Sequence, residues 1–503
     1  MVLTLPAMFV SVVSGPTPAS IRAAVREQIE RTKHSSKMEI ARFIKDSELE
    51  IASLDSKIRA LTKLRDSQRA CVLALRYIIA PIRTLPLELM AEIFELTIED
   101  ETHIRDAHRI SQVCSHWREV AHGTPRLWSR PLRIELCRKG GFSRFWIRPL
   151  EEKEIAAGLK AWLARSAPLS ISISFGLVTK NMYPAVLEEV LAVASRSRSL
   201  IFPTASDFKT PVPLLRQLIH AKLDRLEELN LGIIDKADHT PIAFAVPRLR
   251  TFSIADLGEP QIIVPWSQLT ELTFSCGSPD VILEVLSQCG NLVSASITIL
   301  KRTRLPGPGV GRDTSIQLSH LRSLDLDFMA DFASLFDYLS APVLQDLRLE
   351  LGEMHWTQAH LTAFQLRAPN ITQLEILSGC WSFTSDNLVT TVRNSPLLTH
   401  LELTCCDDCF DDAFIRALHY EPGPTPLVPR LHHLTVRDEE MNFTEEILAG
   451  MIASRWWTDT ELISFVVPPA VARWTHVNLD VEYDFGSQFE DILKHVPSDV
   501  LRH

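Results

Sequence analysis

Apolar residues fall into three successive rhythms along this chain, and each predicts a different kind of element. From Ile51 they step by three and four: Ile51, Leu54, Ile58, Leu61, then the polar Arg65 and Gln68, then Val72, Leu75 and Ile79. These are the a and d sites of a heptad, a seam that stays on one side of a helix when a partner helix supercoils against it. Arg65 and Gln68 weaken its middle. Two readings stay open: a helix paired with another helix, or a single amphipathic helix laid on the next domain. Pro81 ends it, because the residue before a proline is pushed out of the helical region.

The second rhythm occupies residues 81–135. A helix is predicted from Pro86, whose missing N–H costs nothing at a helix start, with Leu89, Met90, Ile93 and Phe94 as its stripe. Another is predicted over Ala107–Ala121, with Ile110, Val113, Cys114, Trp117 and Val120 on one face and Gly123 as its stop. Helices this short cannot bury both stripes against each other, so apolar surface is expected to stay open for a partner. Residues 136–222 read as a linking region with first, atypical repeats. It holds Gly140-Gly141, Pro149, a helix over Glu151–Ala164, and a strand in which Leu169, Ile171, Ile173 and Phe175 alternate.

The third rhythm is a repeat. From about residue 223 the template Leu-x-x-Leu-x-Leu, with apolar substitutes, recurs nine times, from Leu226/Leu229/Leu231 to Leu431/Leu434/Val436. Start-to-start spacings are 23, 20, 23, 29, 23, 27, 27 and 33 residues, close to those of leucine-rich repeats. The last is lengthened by an insertion at Glu421–Pro426. Template residues two apart point inward from a short strand, and amphipathic pieces such as Val281–Ser287 and Phe332–Leu339 suit helices on the outer face. One such repeat cannot hide its apolar side, whereas stacked neighbours can. The expected fold is therefore α/β: a long amino-terminal helix (21–80) after a loose tail (1–20), a small helical module (81–135), the linking region, then a leucine-rich-repeat solenoid arc (223–483) with inner strands and outer helices. Residues 484–503 are expected to be a cap or tail.

Composition narrows the setting. A chain of 503 residues exceeds one compact core, and 46% apolar with 23% charged residues suits a soluble globular protein. Nine cysteines without framework spacing fit a reducing compartment, so a cytoplasmic or nuclear location is expected. The apolar stretch Met1–Val13 has no basic flank and is too short to cross a bilayer. Residues 21–80 hold 13 basic against 8 acidic residues, and residues 401–503 hold 7 against 19. Positive charge is thus not gathered on the main folded part, which argues against a nucleic-acid partner.

The second rhythm also carries a resemblance. The segments Ile82-Arg-Thr-Leu-Pro-Leu-Glu-Leu-Met-Ala-Glu-Ile-Phe94 and Val113-Cys-Ser-His-Trp-Arg-Glu-Val-Ala121 resemble an F-box. The trailing Thr124-Pro-Arg-Leu-Trp-Ser129 and the upstream heptad helix are similar to those of a large fungal F-box family. Thr84-Leu-Pro-Leu87 departs from the Leu-Pro-Pro that relatives often carry. The resemblance implies a non-catalytic substrate receptor of an SCF-type ubiquitin ligase, docked on the ligase adaptor and through it on a cullin, with the repeats holding a client protein. It assigns adaptor contact to Leu85, Pro86, Leu89, Ile93, Phe94, Val113, Cys114 and Trp117. The alternative is a scaffold that uses the heptad helix and the repeats without any ligase.

Signatures of catalysis or cofactor binding are not expected. Cys405-Cys406-Asp-Asp-Cys409 lacks a second ligand pair, and Cys406 occupies the repeat position reserved for Asn or Cys, so a structural role is expected. Gly307-Pro-Gly-Val-Gly311 lacks the Lys-Ser/Thr of a phosphate loop. His432-His433 flank a repeat strand without a metal-binding pattern. On the repeat face, Thr251, Ser253, Thr273, Ser275, Ser296 and Thr298 line early strands, while Asp325, Asp327, Arg348, Glu350, Glu375 and Glu402 line later ones. The acidic later half is expected to receive a basic patch on the client.

Overall fold

The computed structural model describes residues 18–502 except 34–36, 101, 135–151, 176–183, 203–208, 236–239, 259–261, 301–314, 353, 407, 424, 439–441, 466, 482 and 484. The stretch Met1–Val13, Gly140-Gly141, Pro149 and the Gly307–Gly311 segment lie outside the described residues. The chain divides into two compact units, Met1–Met90 and Ala91–His503.

In the first unit, α1 (Pro18–Thr32) takes up the last three residues of the expected tail. The helix expected over 21–80 is two helices, α1 and α2 (Lys37–Ile78); the heptad residues from Ile51 to Leu75 lie on α2, about 63 Å long at 1.5 Å per residue, and Ile79 falls just past its end. Every residue from Ile51 to Arg76 is exposed. A single turn of 3-10 helix follows at Pro81–Thr84, closed by the Thr84 hydroxyl donating to the Pro81 carbonyl (2.7 Å). The next helix, α3 (Leu87–Thr97), starts where expected, with the Met90 N–H donating to the Pro86 carbonyl at 3.1 Å.

The second unit contains the rest of α3 and then two helices where one was expected, α4 (His103–Gln112) and α5 (Ser115–His122). Cys114 is the break. Its backbone is extended, and its sulfur accepts the Trp117 N–H (3.4 Å), so it caps a new helix instead of continuing the old one. A 3-10 turn, Pro125–Trp128, folds back, and the Trp128 indole donates to the Ala121 carbonyl at 2.7 Å.

Among the described residues, fourteen parallel strands then form one sheet in chain order. They are β1 (Leu132–Ile134), β2 (Ile171–Phe175), β3 (Ser197–Ile201), β4 (Glu228–Asn230) and β5 (Thr251–Ile254). Next come β6 (Glu271–Cys276), β7 (Ser294–Ile299), β8 (Ser323–Phe328), β9 (Asp346–Leu351) and β10 (Gln373–Ser378). The set closes with β11 (His400–Thr404), β12 (His433–Asp438), β13 (His476–Val481) and β14 (Leu501–Arg502). Sequential parallel strands demand a crossover each time. Short helices supply several, among them α6 (Glu152–Arg165) after β1. Others of the expected outer helices are replaced by short strands, as where Ile242–Ala243 pairs with Ile262–Ile263, or by a 3-10 turn, Trp266–Gln268. The inward template residues are buried in repeat after repeat, as with Leu321, Leu324 and Leu326. This is a leucine-rich-repeat-like solenoid.

It extends beyond the nine template matches at both ends. The spacing persists at Ser197/Leu200/Phe202 and at Trp474/Val477/Leu479, all buried, with serine or tryptophan replacing the leading leucine. Residues after 484 hold a further helix, Ser487–Leu493, and β14, paired in parallel with β13. The segment Phe332–Leu339 differs from the expected α-helix. Leu339–Ser340 must pair with Ile316–Gln317, leaving six residues of 3-10 helix, Ala333–Tyr338.

Two packing centres hold the unit. Trp128 meets Trp162 of α6 edge-on (4.8 Å) beneath the Arg165 guanidinium, and His103 meets Trp162 edge-on at 5.9 Å. The helical module is thereby fastened to the first crossover helix. At the other end the insertion before β12 is anchored by the buried Arg455, which donates to the carbonyls of Leu418, Val428 and Leu427 at 3.1, 3.2 and 2.7 Å.

Candidate functional site

The apolar positions of the helical module separate into two kinds. At steps of four, Met90 and Phe94 of α3 and Ile98 just past its end are buried. In the second unit Phe94 is 1% exposed and packs on Trp117 with ring centroids 4.9 Å apart. Phe94 therefore departs from the expected contact surface: it is a core residue that seats α3 against α5. Trp117 and Cys114 are half-buried, the first held by Phe94 and the second spent on capping α5.

The neighbouring stripe of α3 faces outward, with Ile93 38% and Leu96 85% exposed, and Val113, at the α4–α5 break, is 56% exposed. In the first unit Leu89 is 52% exposed, Pro86 is exposed and Leu85 half-buried. Leu96 was not singled out from the sequence. Its spacing of three from Ile93 was the available signal. Unpaired leucine and isoleucine on a module this small are what a protein partner covers.

The six face residues expected to meet a client do come together. Strand register aligns Asp325, Arg348, Glu375 and Glu402 in one row across β8 to β11, with Asp327 and Glu350 paired in the row beside it. Arg348 sits among the carboxylates, 3.2 Å from Glu375, 3.7 Å from Asp325 and 3.9 Å from Glu350. Arg437 borders the patch, paired with Glu402 and, at 3.8 Å, with Asp480. Three carboxylates thus meet the Arg348 guanidinium, while Glu402 is held by Arg437. Burial lifts the Asp327 pKa above its ordinary value, and Glu350 and Asp325 lift it further. Burial also raises that of Glu375, with Glu402 and Asp325 adding to it and Arg348 opposing. Carboxylates crowded enough to resist ionisation gain from an incoming cation.

A second feature was missed from the sequence. A groove of about 1100 Å³ runs along the margin where the strands begin, lined by Arg248, Arg250, Gln268, Asn291, His320 and Arg322 among others. Each of these flanks a leading template leucine (Leu249, Leu269, Leu292 or Leu321), and that regular placement was the signal. Glu227, a carboxylate in its lining, is engaged by Arg198 at 2.9 Å. The groove can receive anionic or hydrogen-bonding groups.

The remaining motifs are structural in their surroundings. Cys406 is buried after β11, its sulfur 3.4 Å from the Thr404 carbonyl. His433 lies in a row with His400 and His476, stacked on the latter at 4.3 Å.

Comparison with known proteins gives one family match, an F-box-like model over residues 82–134. No curated protein matches the chain. Among solved structures, the Rad7 and Elc1 complex of yeast overlays with a TM-score of 0.37 at 12% identity, covering 75% of this chain and 94% of that one. The TLR13–ssRNA13 complex overlays with a TM-score of 0.33 at 14% identity, covering 65% of this chain and 44% of that one. Both scores are too low to imply a shared fold. Residues 82–134, whose Leu-Pro start, Ile-Phe pair and Cys-x-x-Trp stand in order with the outward stripe exposed, are an F-box-like domain.

Proposed function

We propose that this chain is a non-catalytic substrate receptor of an SCF-type ubiquitin ligase. The F-box-like domain docks on the ligase adaptor, and through it a cullin, while the solenoid holds a client. The observation that supports this most is the pairing of a matched F-box-like domain with outward Leu89, Ile93 and Val113. The receptor acts by proximity, holding client lysines near an activated thioester on another subunit. The client surface is the carboxylate patch around Arg348, which suits a protein segment carrying clustered lysine or arginine. Opposite charge there sets encounter rate and orientation more than affinity.

The test is co-purification of the full chain with the ligase adaptor. Wild type is expected to retain it, and the triple variant Leu89→Asp, Ile93→Asp, Val113→Asp to lose it while keeping the wild-type melting temperature. Adaptor absent from both, or retained by both, overturns the reading. Absence from both returns the protein to the scaffold alternative.

A further inference from the structure

We infer that α2 self-associates with a second copy of this chain as an antiparallel coiled coil, centred on Lys63. The inference uses the first unit alone and is independent of the ligase reading. A helix of 42 residues with Ile51, Leu54, Ile58, Leu61, Val72 and Leu75 all exposed leaves a long apolar seam in water. The heptad register places the seam, and the flanking e and g positions decide what covers it.

Take first a parallel pair of copies. Each a or d residue then meets itself, so Arg65 faces Arg65 in the seam. At the flanks a g residue meets the e residue five positions on. Glu50 then meets Asp55, Lys57 meets Thr62, Leu64 meets Arg69 and Cys71 meets Arg76. One of these pairs is repulsive and none is attractive.

Now reverse one helix so that Ile51 packs against Leu75 of the second copy. Leu54 then packs against Val72, Ile58 against Gln68 and Leu61 against Arg65, each layer occurring twice by symmetry. The two arginines no longer meet. In this arrangement e positions flank e positions: Glu48 lies beside Arg76, Asp55 beside Arg69, and Thr62 beside Thr62. The acids occupy the first half of the e stripe and the bases the second half, which is complementary only when the helices run in opposite directions. Among the described residues, none of these four charges is in an ion pair within the chain, whereas Arg65 is held by its neighbour Asp66 at 2.8 Å. Sliding the helices by one heptad either way leaves one attractive e pair instead of two. The e-stripe charges therefore select this register, and within it the two Arg65 side chains are kept apart.

The test uses the full chain with Cys71→Ser. Sedimentation should give a dimer, and under mild oxidation Thr62→Cys should form an intermolecular disulfide joining residue 62 to residue 62. Leu54→Cys should not cross-link, because two such residues would lie about 27 Å apart along the antiparallel pair. Arg69→Glu with Arg76→Glu should weaken dimerisation by about tenfold or more. Adding Glu48→Arg and Asp55→Arg to that variant should restore it, which separates charge pairing from loss of helix. A monomer, a Leu54 cross-link without a Thr62 one, or no rescue by the fourfold swap would each overturn the inference.

Discussion

Phe94 and Ile93 are adjacent in sequence and have opposite fates. Phe94 is sealed against Trp117, while Ile93 faces out. Replacing Phe94 by alanine removes a fully buried ring and should destabilise the second unit by about 3–5 kcal/mol. A polar replacement at Ile93 or Leu96 should leave stability within about 0.5 kcal/mol and act on adaptor binding. Chemical denaturation of the three single variants checks the contrast. Arg455 is the opposite kind of residue, a charge inside the core. Its pKa is pushed down to about 10 by burial, and its N–H groups satisfy three carbonyls. Arg455→Leu would leave the Leu418 and Leu427 carbonyls without donors, while the Val428 carbonyl keeps the Leu431 N–H. At about 1–3 kcal/mol for each orphaned group, the variant is expected to lose at least about 2 kcal/mol, read as a lower urea midpoint with unchanged slope. Buried or exposed was not legible residue by residue in the sequence. The stripe Leu89, Met90, Ile93 and Phe94 is apolar throughout, and which half turns inward depends on where α4 and α5 pack.

Elements were more legible than residues. The heptad gave one unbroken helix, and the Leu-x-x-Leu-x-Leu template gave strands in register, because a period of two with buried alternate positions admits few other solutions. Where elements were misread, a local hydrogen bond or pairing overrode the period: the Cys114 sulfur capping α5, and Leu339–Ser340 pairing away from its expected helix. The repeats led by Ser197 and Trp474 fall within the regions expected to repeat but do not match the template, which asks for a leucine where they carry a buried serine or tryptophan. Gly352, just after β9, shows how tightly neighbouring turns stack. A Cβ there would stand 2.8 Å from the Phe328 carbonyl oxygen, so Gly352→Ala must move backbone. It should lower the melting temperature, whereas alanine at Gly290, where nothing lies within 4 Å, should not. The histidine row across β11 to β13 makes a prediction about pH. Burial, with His476, His400 and His432 adding, lowers the His433 pKa from 6.5 to about 4, and burial with His432 lowers that of His400 against the opposing Asp346. As pH falls from about 6.5 to about 4 the unfolded chain takes up these protons first. The stability present above that window is therefore lost within it. Urea midpoints at pH 7 and pH 5 should differ less in His433→Gln than in wild type.

At the scale of the molecule, charge is sorted by place. The later strand face gathers Asp325, Asp327, Glu350, Glu375 and Glu402 around Arg348, and the strand-entry margin gathers Arg248, Arg250 and Arg322. The first of these was legible, since residues flanking the inward leucines share a face. The second was not, because its members are scattered singly until strand register aligns them. Reversing Asp325, Glu350, Glu375 and Glu402 to lysine should abolish client capture and leave adaptor binding intact, as read by affinity purification of the two partners from one preparation. No helix among the described residues is long and apolar enough to cross a membrane. Hydrogen–deuterium exchange on the full chain with and without purified ligase adaptor tests most directly whether the outward face of the F-box-like domain docks on the adaptor. Slowed exchange in Leu87–Thr97 and Ser115–His122, with the solenoid strands unchanged, is the predicted result. Unchanged exchange in both helices at saturating adaptor would contradict it.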